Sequence, residues 1–161
     1  MTGSGDELVT SVRSKKGFGR RVIVAFQSGA ALEVARDVAA EMKIHAGQTL
    51  SRDALQSLLA AEIDYRCYNA ALRLLAYRPR SEAELRQRLR RDRYDDGIID
   101  RALARLRQQK LIDDVAFSRF WKESRESLSP RGARMIEREL RQKGVAQEVA
   151  HDVASEVDDT E

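Results

Sequence analysis

One cysteine, Cys67, stands in 161 residues, so no internal disulfide framework is open to this chain. Aromatic residues are scarce at 6% while charged residues reach 34%. That balance, rich in Arg, Glu, Leu and Ala, favours helices with solvated faces over a β-sandwich. No stretch approaches the roughly 18 uncharged apolar residues of a membrane span. The start, Met1-Thr2-Gly3-Ser4-Gly5-Asp6-Glu7, lacks the basic and apolar segments of a secretion signal. A soluble, cytoplasmic protein with no membrane partner is the expectation. The nine glycines form neither GxGxxG nor GxxxxGK[ST], so no phosphate-cradling loop is present. His45 and His151 lie far apart, and neither has metal-ligand spacing to a cysteine or carboxylate. Cys67 reads as a partly buried helix residue. No metal, cofactor or catalytic centre is therefore expected: the chain reads as a protein that binds and regulates, not as an enzyme.

With 42% hydrophobic residues a core can form, as one ordinary domain or two small ones. The formal charge of +3 conceals an uneven distribution. From Arg78 to Lys143 there are 19 Lys+Arg against 12 Asp+Glu; the remainder carries 10 against 14. A basic body with an acidic tail (Asp152, Glu156, Asp158, Asp159, Glu161) suits nucleic acid or an acidic protein groove. Solvated helix faces laced with i,i+4 pairs fit the charge equally well.

Residues 1–16 are small, polar and charged, and are expected to be disordered. Arg21 to Phe26 is a β-branched strand, Gln27-Ser28-Gly29 a turn, and Ala30 to Val34 a returning strand. A short helix is predicted from Ala35 to Lys43, and a longer one, capped by Ser51, through Leu55, Leu58, Leu59 and Ile63. A new helix then carries Leu72, Leu75 and Ala76 and stops at Arg78-Pro79. Ser81 and Glu84 form a capping box ahead of Leu85 and Leu89. Tyr94-Asp95-Asp96 recaps the chain for Ile98, Ile99, Ala102, Leu103 and Leu106. The cycle restarts at Asp113-Asp114 with Phe117, Phe120 and Trp121, halting before Ser129-Pro130. Met135, Ile136 and Leu140 follow, closed by Gly144, and then Val149, Val153 and Val157.

The two prolines, each followed by arginine, are 51 residues apart. At that offset Leu85 meets Ile136, Leu89 meets Leu140, Tyr94 meets Val145 and Ile98 meets Val149, although the first helices align poorly. The fold class is mainly α: two tandem three-helix repeats preceded by a small β-hairpin/helix module. The boundaries are 1–16 (disordered), 17–66 (module), 67–112 and 113–157 (repeats) and 158–161 (acidic tail). The expected repeat core is Leu85, Leu89, Leu103, Leu106, Phe117, Trp121, Ile136 and Leu140. Repeats of this kind stack so that neighbours bury each other's open faces.

Arginine is the informative residue. Arg86, Arg90 and Arg93 stand at i, i+4 and i+7 on one face, and Arg131, Arg134, Arg138 and Arg141 form a similar series in the second repeat. Arg125 and Lys143 flank that series. Guanidinium groups so arrayed can grip phosphates or carboxylates bidentately. Phe120 and Trp121 could stack on bases, but beside Phe117 at helical spacing at least one belongs to the core.

These residues resemble the RecX family of recombination regulators. The likeness is carried by Leu111-Ile112-Asp113-Asp114, Phe117, Phe120-Trp121, Arg125, Pro130-Arg131, Ile136, Glu139-Leu140 and Lys143-Gly144-Val145. Ala71-Leu72, Pro79-Arg80-Ser81, Glu84-Leu85, Leu89 and Tyr94 resemble the preceding family repeat. The resemblance covers about residues 20–155. It implies a helical protein that lodges in the groove of the RecA recombinase filament on single-stranded DNA; a monomer is expected. There it would restrain growth, ATP hydrolysis and strand exchange. The same features leave a direct DNA-binding module without a recombinase target as the alternative. The family pattern has three repeats and this chain carries two, so a shorter span of filament contact is expected.

Overall fold

The computed structural model describes residues 5–17, 19–128 and 132–156. It divides the chain into two compact units, Met1–Arg66 and Cys67–Glu161. Ser129-Pro130-Arg131, Val157 and the acidic tail 158–161 lie outside the described residues.

In the first unit, β1 (Glu7–Ser14), β2 (Arg21–Phe26), β3 (Ala31–Ala35) and β4 (Thr49–Leu50) form an antiparallel sheet in the order β3-β2-β1-β4. The hairpin of β2 and β3 falls where the β-branched run places it. Strand β1 runs through residues expected to be disordered, and β4 adds a fourth strand. Both corrections have one cause. Val9 is fully buried, pairs with Phe26 and meets Leu50 in the core, so pairing supplies what its polar neighbours conceal. Helix α1 (Arg36–Glu41) and the first part of α2 (Arg52–Tyr77) cover this core through Val38 and Leu58. Glu62 ties α2 to the sheet: it accepts from the Ala35 amide (2.8 Å), Arg21 (2.5 Å) and Arg66 (2.8 Å). Burial pushes its carboxyl up, but these donors outweigh that and hold it below the usual range.

Helix α2 is continuous over 26 residues, where two helices were predicted. Neither Gly nor Pro interrupts it, and a drift in its apolar stripe is not a break. It ends one residue before Arg78-Pro79, as the proline requires. The second unit continues with α3 (Glu82–Arg91), α4 (Asp96–Gln108), α5 (Asp114–Leu128), α6 (Ala133–Gln142) and α7 (Gln147–Ser155). The 51-residue register holds at four helix ends: Tyr77 with Leu128, Glu82 with Ala133, Arg91 with Gln142, Asp96 with Gln147. It also holds inside the first helices. Cys67, Ser118 and Ala71 are fully buried, and Lys122 nearly so. The sequences align poorly there because the residue types differ, although the buried positions coincide. Lys122 reaches the Glu156 carbonyl, which satisfies its ammonium group.

Each repeat closes its own core. Leu85, Leu89, Ile99, Leu103 and Leu106 with Cys67 and Ala71 fill the first; Phe117, Ile136, Leu140, Val145 and Ala150 fill the second, with Trp121 packed against them. The expected burial of one repeat's open face by the other is replaced by a polar seam, described below.

Helices α1, α3, α4 and α6 end alike, with a left-handed residue after the cap: Lys43, Arg93, Lys110 and Gly144. In α3 and α6 the amide of the next residue, Tyr94 or Val145, donates back to Leu89 or Leu140. This is the Schellman arrangement. Arg93 and Gly144 are equivalent in the repeat, yet only Gly144 must be glycine, because a Cβ there would collide with that of Ala83. Gly144→Ala is therefore expected to destabilise the second unit by at least about 2 kcal/mol, since the left-handed backbone alone costs roughly 1–2 kcal/mol. Arg93→Gly should stabilise it by about 1 kcal/mol. Urea unfolding of the two variants, read by circular dichroism, checks both signs.

Candidate interaction surface

The N-terminus of α3 is the point where the repeats meet. The Ser81 hydroxyl accepts from the Glu84 amide (3.2 Å), and Glu84 accepts from the Ser81 amide (3.2 Å), completing the capping box. The same hydroxyl donates to the Lys143 carbonyl at 2.6 Å, at the end of α6. Glu84 also receives Arg78 (3.2 Å) and the Lys143 ammonium (3.0 Å). The next residue, Gly144, packs on Ala83. From the start of α5, Asp114 accepts the Glu82 amide at 2.9 Å, while Arg107 grips the Glu82 carboxylate with two 3.0 Å bonds.

Two carboxyls at this seam are shifted in opposite directions. Burial would raise Glu84, but the bonds from Arg78, Lys143 and the Ser81 amide overcome it and leave the carboxyl below its usual range. For Asp114 burial prevails: with Glu82, Asp113 and Glu84 nearby, its carboxyl sits above the usual range despite the Glu82 amide.

This geometry sorts the cations named from the sequence. Lys143 is held by Glu84 and lies 4.6 Å from the centre of the Trp121 ring. Arg125 pairs with Glu139 at 3.0 Å and sits 4.5 Å from that ring, while the indole N–H donates to Glu139 at 2.9 Å. Arg125 thus braces the second repeat, and Lys143 also ties it to the first. Arg86 pairs with Asp100 (2.6 Å) and Arg90 with Asp96 (2.7 Å), on the exposed side of α3 and α4. Arg93 stands exposed at the end of α3, in the left-handed backbone position. Arg131 lies outside the described residues.

Arg134, Arg138 and Arg141 form a different group. They are exposed along the outer side of α6, make no ion pair among the described residues, and line a shallow groove with Glu137 and Gln142. Beside them Met135 is 50% exposed. Gly132, Ala133, Arg134, Met135 and Arg138 line a second depression. Phe120 is also exposed, whereas Trp121 is taken up by the core.

The repeat register explains why α6 is open here. Ser81, Ala83 and Glu84, which receive the second repeat on α3, correspond to Gly132, Arg134 and Met135 on α6. Ala83 must be small because Gly144 rests on it; its counterpart, Arg134, faces no such neighbour among the described residues. The two basic series read from the sequence are therefore not one repeated face. Only Arg90 and Arg141 are equivalent; Arg86 corresponds to Glu137. What α6 offers is a methionine bordered by arginines, at the position where α3 docks another helix end.

Two family models match the chain: "RecX, first three-helix domain" over residues 67–106, and "RecX, second three-helix domain" over 113–153. A regulatory protein RecX from Geobacillus kaustophilus is 32% identical over 126 residues, covering 76% of this chain and 47% of the relative. One from Mycobacteroides abscessus is 38% identical over 95 residues, covering 59% and 47%. The chain spans about half the length of the curated relatives it matches. A crystal structure of regulatory protein RecX aligns with a TM-score of 0.80 over 91% of this chain and 72% of that one, at 22% identity. RecX from Lactobacillus salivarius aligns at 0.55 over 58% and 60%, with 27% identity.

Glu84→Gln tests the seam. It replaces a carboxylate that receives two cations, and is expected to cost about 2–3 kcal/mol at pH 7, the scale of hydrogen bonds to charged groups. Because the folded carboxyl titrates below its unfolded value, its contribution is present above roughly pH 4.3 and is lost as pH falls below that. Urea unfolding from pH 7 downward should give a shallower acid loss in the variant than in the parent.

Proposed function

The chain belongs to the RecX family, and from that premise we propose that it binds the RecA recombinase filament on single-stranded DNA and restrains its growth, ATP hydrolysis and strand exchange. It does so by binding, as a monomer in the cytoplasm, without chemistry of its own. The observation that carries this reading is the outer side of α6. Arg134, Arg138 and Arg141 stand there unpaired among the described residues, and the first two flank the half-exposed Met135. An apolar side chain flanked by arginines is the composition of a protein-binding hot spot rather than of a purely electrostatic surface. Arginine also suits acidic side chains and phosphates alike, and a protein filament coated on DNA presents both. The cations of α3 and those braced inside the second repeat contribute field and stiffness; the contact is made by α6.

RecA ATP hydrolysis on single-stranded DNA, measured at fixed salt with increasing amounts of this protein, tests the reading. Inhibition that saturates supports it, and no effect at saturating protein would sink it. Arg134→Glu/Arg138→Glu should raise the half-inhibitory concentration at least tenfold, equivalent to about 1.4 kcal/mol. The helical circular-dichroism signal should be unchanged, since neither side chain has an ion-pair partner among the described residues.

A further inference from the structure

The β-sheet unit carries a second charged surface, which the family models do not cover. At one end of the sheet β1 finishes, β2 begins and β3 finishes. Ser14 pairs with Val22, the Lys15 amide donates to the Arg21 carbonyl, and the Arg36 amide donates to the Arg20 carbonyl. Three adjacent strands therefore deliver Arg13, Lys15, Lys16, Arg20, Arg21 and Arg36 to one corner.

The corner has fewer anions than cations. Glu33 receives Lys15 (2.8 Å) and Arg21 (3.1 Å), and the buried Glu62 receives Arg21. Asp37 follows Arg36 and accepts from the Tyr65 hydroxyl at 3.2 Å. Arg36 itself reaches across to the Ser14 hydroxyl at 2.9 Å. Arg13, Lys16 and Arg20 are exposed and have no ion pair among the described residues. Elsewhere between residues 5 and 66 the sequence holds three cations, Lys43, Arg52 and Arg66, and five carboxylates, Asp6, Glu7, Glu41, Asp53 and Asp64. The unit is nearly neutral overall, and its positive charge is gathered at this one end.

We propose that this corner of the sheet is a contact for the phosphate backbone of a nucleic-acid strand, separate from the arginine surface of α6. Neighbouring strands lie about 4.8 Å apart, so three of them spread their cations over about 10 Å. That spread is wide enough to meet more than one phosphate of a strand at once. The composition favours nucleic acid over a protein partner. Among the described residues the corner offers six cations, serine and glycine around one partly exposed apolar side chain, Ile23, a balance far richer in charge than the core of a protein interface. An attraction of this kind follows the polyanion and not its sequence.

Fluorescence anisotropy of a labelled thymidine oligonucleotide, with the full chain and no recombinase present, tests the proposal independently of the α6 reading. Lys16→Gln/Arg20→Gln removes two cations whose side chains hold no ion pair among the described residues. The slope of log affinity against log salt should fall by about 1.4, or about 0.7 per contact on a single strand, with affinity near 0.1 M salt lower on the order of tenfold. Arg13→Gln should lower the slope by about half as much, with the β-sheet circular-dichroism signal kept in both variants. A slope and affinity equal to the parent's would overturn the proposal. So would variants that lose binding to vesicles containing anionic lipid while oligonucleotide binding is unchanged.

Discussion

A single carboxylate at the start of α3 joins what the apolar cores leave separate. Each three-helix repeat buries its own leucines and isoleucines, so hydrophobic burial, which has no direction, cannot set how one repeat meets the other. Glu84 can, because its donors come from three places: its own cap residue, the chain entering the helix at Arg78, and Lys143 at the far end of α6. Ser81 adds a bond to the carbonyl of the same lysine, and the Ala83–Gly144 approach excludes any bulkier residue between them. Directional bonds and one tight contact fix a register that area alone would leave loose.

This division of labour also explains the outward chemistry of the second unit. On α3, the face near the helix start is used up in holding the second repeat and must consist of Ser, Ala and Glu. On α6 the equivalent positions hold Gly, Arg and Met and are open to solvent. The repeat thus keeps its helices and changes their edges: one copy is an internal socket, and the other an external surface.

Legibility followed the range over which each signal acts. Helices α3 to α7 were readable because caps, apolar period and the Gly144 stop are written within a few residues of each other. Strand β1 was not, since Val9 earns its burial from Phe26 and Leu50, far along the chain. Helix α2 was split in two because its apolar stripe shifts partners partway along, although nothing in its backbone chemistry ends a helix. The cations show the same limit. Their positions were plain, but Arg86 and Asp100, or Lys143 and Glu84, are 14 and 59 residues apart. No local pattern separates these braced cations from Arg134 and Arg138. The basic corner of the sheet was missed for a related reason: it is assembled from three strands, none of which is basic over its whole length.

The two cores have one more consequence, for the order of events as the chain folds. Every helix in a repeat finds its partners within about one repeat length, so each repeat has low contact order and can close quickly by itself. The bonds between Ser81, Glu84 and Lys143 span about 60 residues and need both repeats in place. During synthesis the first repeat is complete before Lys143 has been made, and its capped α3 stands ready as a template. The seam itself can form only once both repeats have been made.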